Sequence, residues 1–100
     1  MKSLLTLQQQ HAAWVAQRFA GQPLSGKFAH LRKEVGELED APKDVKEMAD
    51  VLLLLLDIAT QAGVDADDLV AAAEAKFEEC QRRQWGQPDQ HGVIEHIKQP

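Results

Sequence analysis

Apolar positions recur at steps of three and four through most of the chain. Leu4, Leu7, His11, Trp14, Val15 and Phe19 hold that spacing, which predicts a helix over Ser3–Phe19 that Gly21 and Pro23 end. A second helix is expected from Ser25, as its cap, to Leu38, with Phe28, Leu31, Val35 and Leu38 on one face. Glu39 to Lys43 then forms a tight turn around Pro42. The third helix runs from Lys43 to Ala62 and is apolar over more than one face between Val51 and Ile58. Such a helix is buried on several sides, and in so short a chain this includes a subunit interface. Gly63 ends it, and Asp65 caps a fourth helix that reaches Gln84. Trp85, Gly86 and Pro88 break regular structure, and the tail Asp89–Pro100 is polar except for Val93, Ile94 and Ile97. No segment alternates with a period of two. The expectation is one all-α domain over residues 1–100, four-helix bundle-like with an irregular C-terminal tail. A chain of this size buries a modest core by itself, so an oligomer is expected.

Two acidic pairs stand out on this frame. Glu34 and Glu37 fall three apart on the second helix, and Glu47 and Asp50 fall three apart on the third. Residues at that spacing are surface neighbours, so each pair points its carboxylates the same way. The turn at Pro42 makes the two helices an antiparallel hairpin. Glu37 and Glu47 lie equally far from Pro42, and so do Glu34 and Asp50. Residues equidistant from a tight hairpin turn sit at one level, which brings four carboxylates to one small volume. Their mutual repulsion calls for cations. Magnesium accepts a few carboxylates together with waters and substrate phosphates, and it can hold a triphosphate and acidify a water. The bland alternative is a solvated acidic face, with Asp44 and Glu47 as a capping box at the start of the third helix. Asp57 lies seven residues after Asp50, on the same face. It is open whether it serves the substrate or is an exposed helix acid.

Charge and cysteine content narrow the partners. The formal net charge of −5 argues against a nucleic-acid binder, which needs a positive stripe to replace phosphate counterions. Cys80 is the single cysteine, so neither an internal disulfide nor a Cys/His zinc site is expected. Asp50 and Asp57 bracket the run Val51–Leu56, which is far shorter than the roughly 20 residues of a membrane span. Gln8–Gln10 interrupt the N-terminal apolar positions too early for a secretory leader. A cytoplasmic protein without membrane contact is expected, in a bacterial or phage-infected host cytosol.

The paired motif E-x-x-E with E-x-x-D resembles the signature of the MazG-like all-α nucleoside triphosphate pyrophosphatase superfamily. The stretches His30–Glu34, Ala41-Pro42, Glu47–Val51, Leu55–Asp57, Ala75-Lys76, Trp85 and Ile94–Ile97 are most similar to the dATP/dGTP pyrophosphohydrolase (MazZ-like) family. The resemblance covers the last two-thirds of the chain closely and the first helix loosely. It implies a MazG fold and hydrolysis of a purine nucleoside triphosphate, dGTP or dATP, to the monophosphate and pyrophosphate. It implies Mg2+, with Mn2+ able to substitute, and a homodimer or homotetramer. The positions that match the metal ligands are Glu34, Glu37, Glu47 and Asp50. Lys76 matches a lysine of the last helix and Arg83 an arginine just before the tryptophan, both suited to triphosphate oxygens. Two positions and one spacing depart from the family pattern. Cys80 stands where relatives often carry asparagine, Lys33 replaces the leading glutamate of the broader motif, and the second acidic pair follows the first closely.

Other residues carry paired readings. His30, one turn before Glu34, is assigned to the mouth of the site rather than to plain polar surface. Trp14 and Phe19 are assigned to the core rather than to a stacked base, and Trp85 to anchoring the tail. Two rival functions stand beside the purine enzyme. One is a pyrophosphohydrolase for a pyrimidine or damaged nucleotide. The other is a non-catalytic helical assembly or adaptor protein, with Val51–Leu56 as its dimer core.

Overall fold

The computed structural model describes residues 1–98. Helix α1 spans Leu4–Arg18, α2 Leu24–Asp40, α3 Val45–Gln61 and α4 Ala66–Arg82. Among the described residues there is no strand, and the one extended pairing is a single antiparallel bridge between Trp85 and His96. The chain divides into two compact units, Met1–Leu69 and the part from Val70 onward.

Local chemistry sets the helix ends. Ser3 Oγ accepts from the backbone N–H of Thr6 at 3.1 Å and caps α1. Asp44 Oδ1 accepts from Lys46 N–H at 2.9 Å, and Asp65 Oδ1 accepts from Asp68 N–H at 2.8 Å. Ser25 is not the cap of α2. That helix starts at Leu24 behind Pro23, whose ring fixes a φ already suited to helix entry. Helix α3 closes on Gly63, whose φ of 79° is left-handed and free of Cβ strain only for glycine. Val64 N–H reaches Ala59 O at 2.8 Å and Gly63 N–H reaches Thr60 O at 3.1 Å, the pair of bonds of a Schellman ending.

In the first unit α3 is central and packs against both α2 and α1. Leu56, Ala59 and Ala66 are its buried apolar residues, and Gln8, Lys27 and Asp57 are buried with them. Gln8 ties the first helix to the far end of the unit. Its amide donates to Val64 O at 3.0 Å, and its oxygen accepts from Ala66 N–H at 2.6 Å. Gln8→Ala removes that acceptor from a buried donor. The expected cost is about 1–3 kcal/mol, read as a lower urea midpoint.

Much of the apolar surface remains uncovered. Val45, Met48, Leu52 and Leu55 follow one another at steps of three and four along α3, and all are exposed. On α2, Phe28 and Val35 are exposed as well, so only Leu31 and Leu38 of the expected stripe turn inward. No helix among the described residues is long and apolar enough to cross a membrane.

In the second unit the tail doubles back on the end of α4. Gly86 N–H donates to Glu95 O at 2.9 Å, and Ile97 N–H donates to Gln84 O at 2.7 Å. Trp85 Nε1–H donates to Cys80 O at 2.8 Å, and its ring meets the His96 ring edge-on at 6.0 Å. Trp85 thus anchors the tail, as its place beside Gly86 suggests.

Candidate active site

The short connection Ala41–Asp44 folds α3 back along α2, and the acids meet as the hairpin register requires. Glu34, Glu37 and Glu47 each offer a carboxylate oxygen, and these three atoms lie within 4.8 Å of one another. Glu34 and Glu47 are half-buried. Glu34 Oε2 and Glu47 Oε2 are buried and have no hydrogen-bond partner among the described residues. The other oxygen of Glu34 is 3.0 Å from His30 Nε2. Asp50 lies outside the closest trio, yet its charge acts on both Glu34 and Glu47.

Two unpartnered buried carboxylate oxygens carry a desolvation cost that a protein group does not offset. A capping box does not explain them. Asp44 N–H is already bound to Ala41 O at 3.0 Å, so Glu47 does not serve the helix start in that way. Hard oxygen donors without competing nitrogen or sulfur suit divalent cations such as magnesium or manganese. The donor set and its orphaned atoms therefore fit a divalent metal.

The electrostatics agree. The Glu34 carboxyl is pushed above its ordinary 4.5, first by the adjacent Glu37 carboxyl, then by burial; His30 opposes the shift. Glu47 is pushed up by burial first, then by the charges of Glu37, Asp50, Asp44 and Glu34. The folded protein thus holds protons on both groups more tightly than the unfolded chain does. Their contribution to stability is present below about pH 4.5 and is lost as pH rises through the elevated values. Without divalent ions, melting temperature should fall across that rise once other carboxylates have titrated. Adding magnesium at neutral pH should restore it, less so at lower pH where protons compete. A melt series with and without EDTA reads both effects.

A cavity of about 330 Å3 opens beside the acids, with His30 and Asp50 on its wall. Trp14 and Phe19 line it too, their rings edge-on at 5.3 Å. They are 52% and 46% exposed, so neither is a core residue as its helical spacing suggests. Asp57 also lines this cavity. It is not an exposed helix acid: it is buried and its Oδ1 accepts from Lys27 Nζ at 2.7 Å.

A family model described as dATP/dGTP pyrophosphohydrolase matches residues 7–100. The chain belongs to that family. This pyrophosphohydrolase is 39% identical over 93 residues to the dATP/dGTP diphosphohydrolase of cyanophage S-2L, covering 91% of this chain and 85% of the relative. It is 34% identical over 87 residues to a dATP/dGTP diphosphohydrolase of Salmonella phage PMBT28, covering 86% of this chain but only 29% of that longer relative. A solved structure, the cyanophage S-2L MazG-like pyrophosphohydrolase bound to dGDP and three catalytic Mn2+ ions per active site, superposes with a TM-score of 0.81 at 35% identity, covering 98% of this chain and 100% of that one. The expected all-α MazG-like fold is therefore borne out, and the adaptor reading gives way. The protein is an enzyme, a nucleoside triphosphate diphosphatase.

The remaining expected residues of the pyrophosphohydrolase lie in the second unit. Lys76 Nζ is 3.7 Å from Glu79 Oε2, and Arg83 pairs with the other Glu79 oxygen. The two cations, Lys76 on α4 and Arg83 just past its end, therefore share the Glu79 carboxylate; Cys80 nearby is half-buried. Lys27 was not expected at all. It sits one turn before Leu31 on the inner side of α2, where its charge alone suggested no partner.

Proposed function

We propose that this enzyme hydrolyses a purine deoxynucleoside triphosphate, dGTP or dATP, to the monophosphate and pyrophosphate, using Mg2+ with Mn2+ able to substitute. The observation that carries this is the trio Glu34, Glu37 and Glu47 with two buried oxygens that no group among the described residues satisfies. Asp50 completes the ligand set from the same face. Bound divalent cations would supply charge neutralisation on the triphosphate and a more acidic water for attack. Glu37, beside Glu34 in the trio, accepts the proton of the attacking water. Attack at the α-phosphorus is the simplest route to these products. Lys76 or Arg83, each matching the family pattern, is suited to triphosphate oxygens, and His30 at the mouth orients Glu34. The enzyme works in the bacterial or phage-infected cytosol, where nucleotide pools are found.

Pyrophosphate release measured across all common NTPs and dNTPs with Mg2+ and with Mn2+ tests this. The expected result is turnover of dGTP and dATP above all pyrimidines, abolished by EDTA. Equal turnover of dCTP or dTTP would overturn the purine assignment.

The same reading includes a homodimer or homotetramer. The exposed row Val45, Met48, Leu52 and Leu55 on α3 has the spacing of a helix-packing seam. Leu52→Glu places a charge in that seam and should shift sedimentation to the monomer; an unchanged sedimentation coefficient would place the interface elsewhere.

A further inference from the structure

The two oxygens of Glu34 have different surroundings. Oε1 lies 3.0 Å from His30 Nε2, whereas Oε2 is buried with no hydrogen-bond partner among the described residues. An ionised carboxylate only accepts hydrogen bonds, so Nε2 carries the hydrogen and donates it. His30 stands one turn before Glu34 on α2, at a spacing where side chains on one helix face meet. The Glu34 side chain is 12% exposed and that of His30 51%. The imidazole is the water-facing member of the pair, and the unpartnered oxygen is the sheltered one.

Imidazole is itself a common metal ligand, yet His30 is not among the groups whose donor atoms converge. Among the described residues only Glu34, Glu37 and Glu47 offer atoms within 4.8 Å of one another. His30 therefore acts on the cluster through Glu34. Of the two glutamates pushed toward the protonated form, only Glu34 has a group that opposes the shift, and that group is His30.

A carboxylate with one oxygen engaged in this way has one oxygen left for a cation. The consequence differs between ions. Ca2+ takes many oxygens in flexible geometry and accepts a carboxylate through both of its oxygens, whereas the smaller Mg2+ demands a near-ideal octahedron, which also suits Mn2+. Groups that orient a ligating carboxylate carry about 10–100-fold in metal affinity.

We propose that His30 is a positioning residue that occupies Glu34 Oε1, limits Glu34 to binding a cation through Oε2 alone, and so biases the acidic cluster toward Mg2+ and Mn2+ over Ca2+. This rests on the metal-dependent hydrolysis proposed above.

The test measures Mn2+ binding to the nucleotide-free chain by electron paramagnetic resonance of the free ion, and Ca2+ binding by competition. Wild type is compared with His30→Ala, which has no donor, and His30→Gln, whose side-chain amide can donate in its place. In the alanine variant the Mn2+ dissociation constant should rise about tenfold or more, while that of Ca2+ changes less, so the preference for Mn2+ shrinks. The glutamine variant should recover most of the preference. Melting temperature in EDTA should stay the same in all three, because His30 is exposed. An unchanged preference in the alanine variant would overturn the role, and so would a glutamine variant that behaves like alanine. A variant that melts many degrees lower in EDTA would make His30 a structural residue instead. Pyrophosphate release, measured beside these, judges the hydrolysis separately. If the preference shifts as expected but no triphosphate is cleaved, the hydrolysis reading fails and His30 keeps its role. If triphosphates are cleaved and the preference does not shift, the His30 role alone fails.

Discussion

Glu47→Gln is expected to lower pyrophosphate release by about a hundredfold or more while leaving the helices intact, and to melt no lower than the parent in EDTA. The loss follows from removing a charged ligand: a metal ion supplies several kcal/mol of charge stabilisation during phosphoryl transfer, and each 1.36 kcal/mol is tenfold in rate. The unchanged or raised melting temperature follows from the cluster itself. Glu47 Oε2 is buried without a partner, and burial together with the charges of Glu37, Asp50, Asp44 and Glu34 disfavours its ionised form. A neutral amide removes that repulsion. Magnesium should raise the melting temperature of the parent and do so much less in the variant, through linkage of metal binding to folding. The combination separates a functional from a structural glutamate. A variant that kept full turnover would remove Glu47 from the ligand set. A variant that lost turnover together with its fold would make Glu47 a structural residue. Asp50→Asn should show the same loss of turnover with the same helicity, since its charge acts on both Glu34 and Glu47.

The helices and the acid trio were legible in the sequence because both follow from short-range rules. Steps of three and four place the helices, Gly63 and Asp65 mark a stop and a start, and equal distance from Pro42 brings Glu37 to Glu47. The long-range features were less legible for a definite reason. Apolar periodicity says which face of a helix is sticky, not which surface of the same chain covers it. Trp14, Phe19, Phe28 and Val35 follow the periodicity and stay exposed. Asp57 was legible only as an acid on the face of Asp50, because burial depends on partners in other helices. Yet one signal for its partner was present. Lys27 and Asp57 lie equally far from Pro42, and the rule that pairs the glutamates pairs these two as well. Extending the hairpin register two turns beyond the acids places the ammonium opposite the carboxylate, where the 2.7 Å contact is found.

That contact sets the largest expected change in stability. Lys27→Ala is expected to cost about 3–5 kcal/mol, because truncating one partner of a buried ion pair leaves the other charge without compensation. Both side chains are 8% exposed, so solvent does little to screen the orphaned Asp57. In a domain of this length the loss corresponds to a fall of more than about 10 °C in melting temperature. The pair joins α2 to α3 at the end of the hairpin far from Pro42, whereas the acid cluster that repels sits nearer the turn. Losing the ion pair thus leaves the hairpin held by apolar contact alone against that repulsion. The double variant Lys27→Met with Asp57→Leu replaces two buried charges by apolar side chains and should recover most of the lost stability. A Lys27→Ala protein within about 1 kcal/mol of the parent by urea melt would mean that water reaches the pair and screens it as it does a surface ion pair.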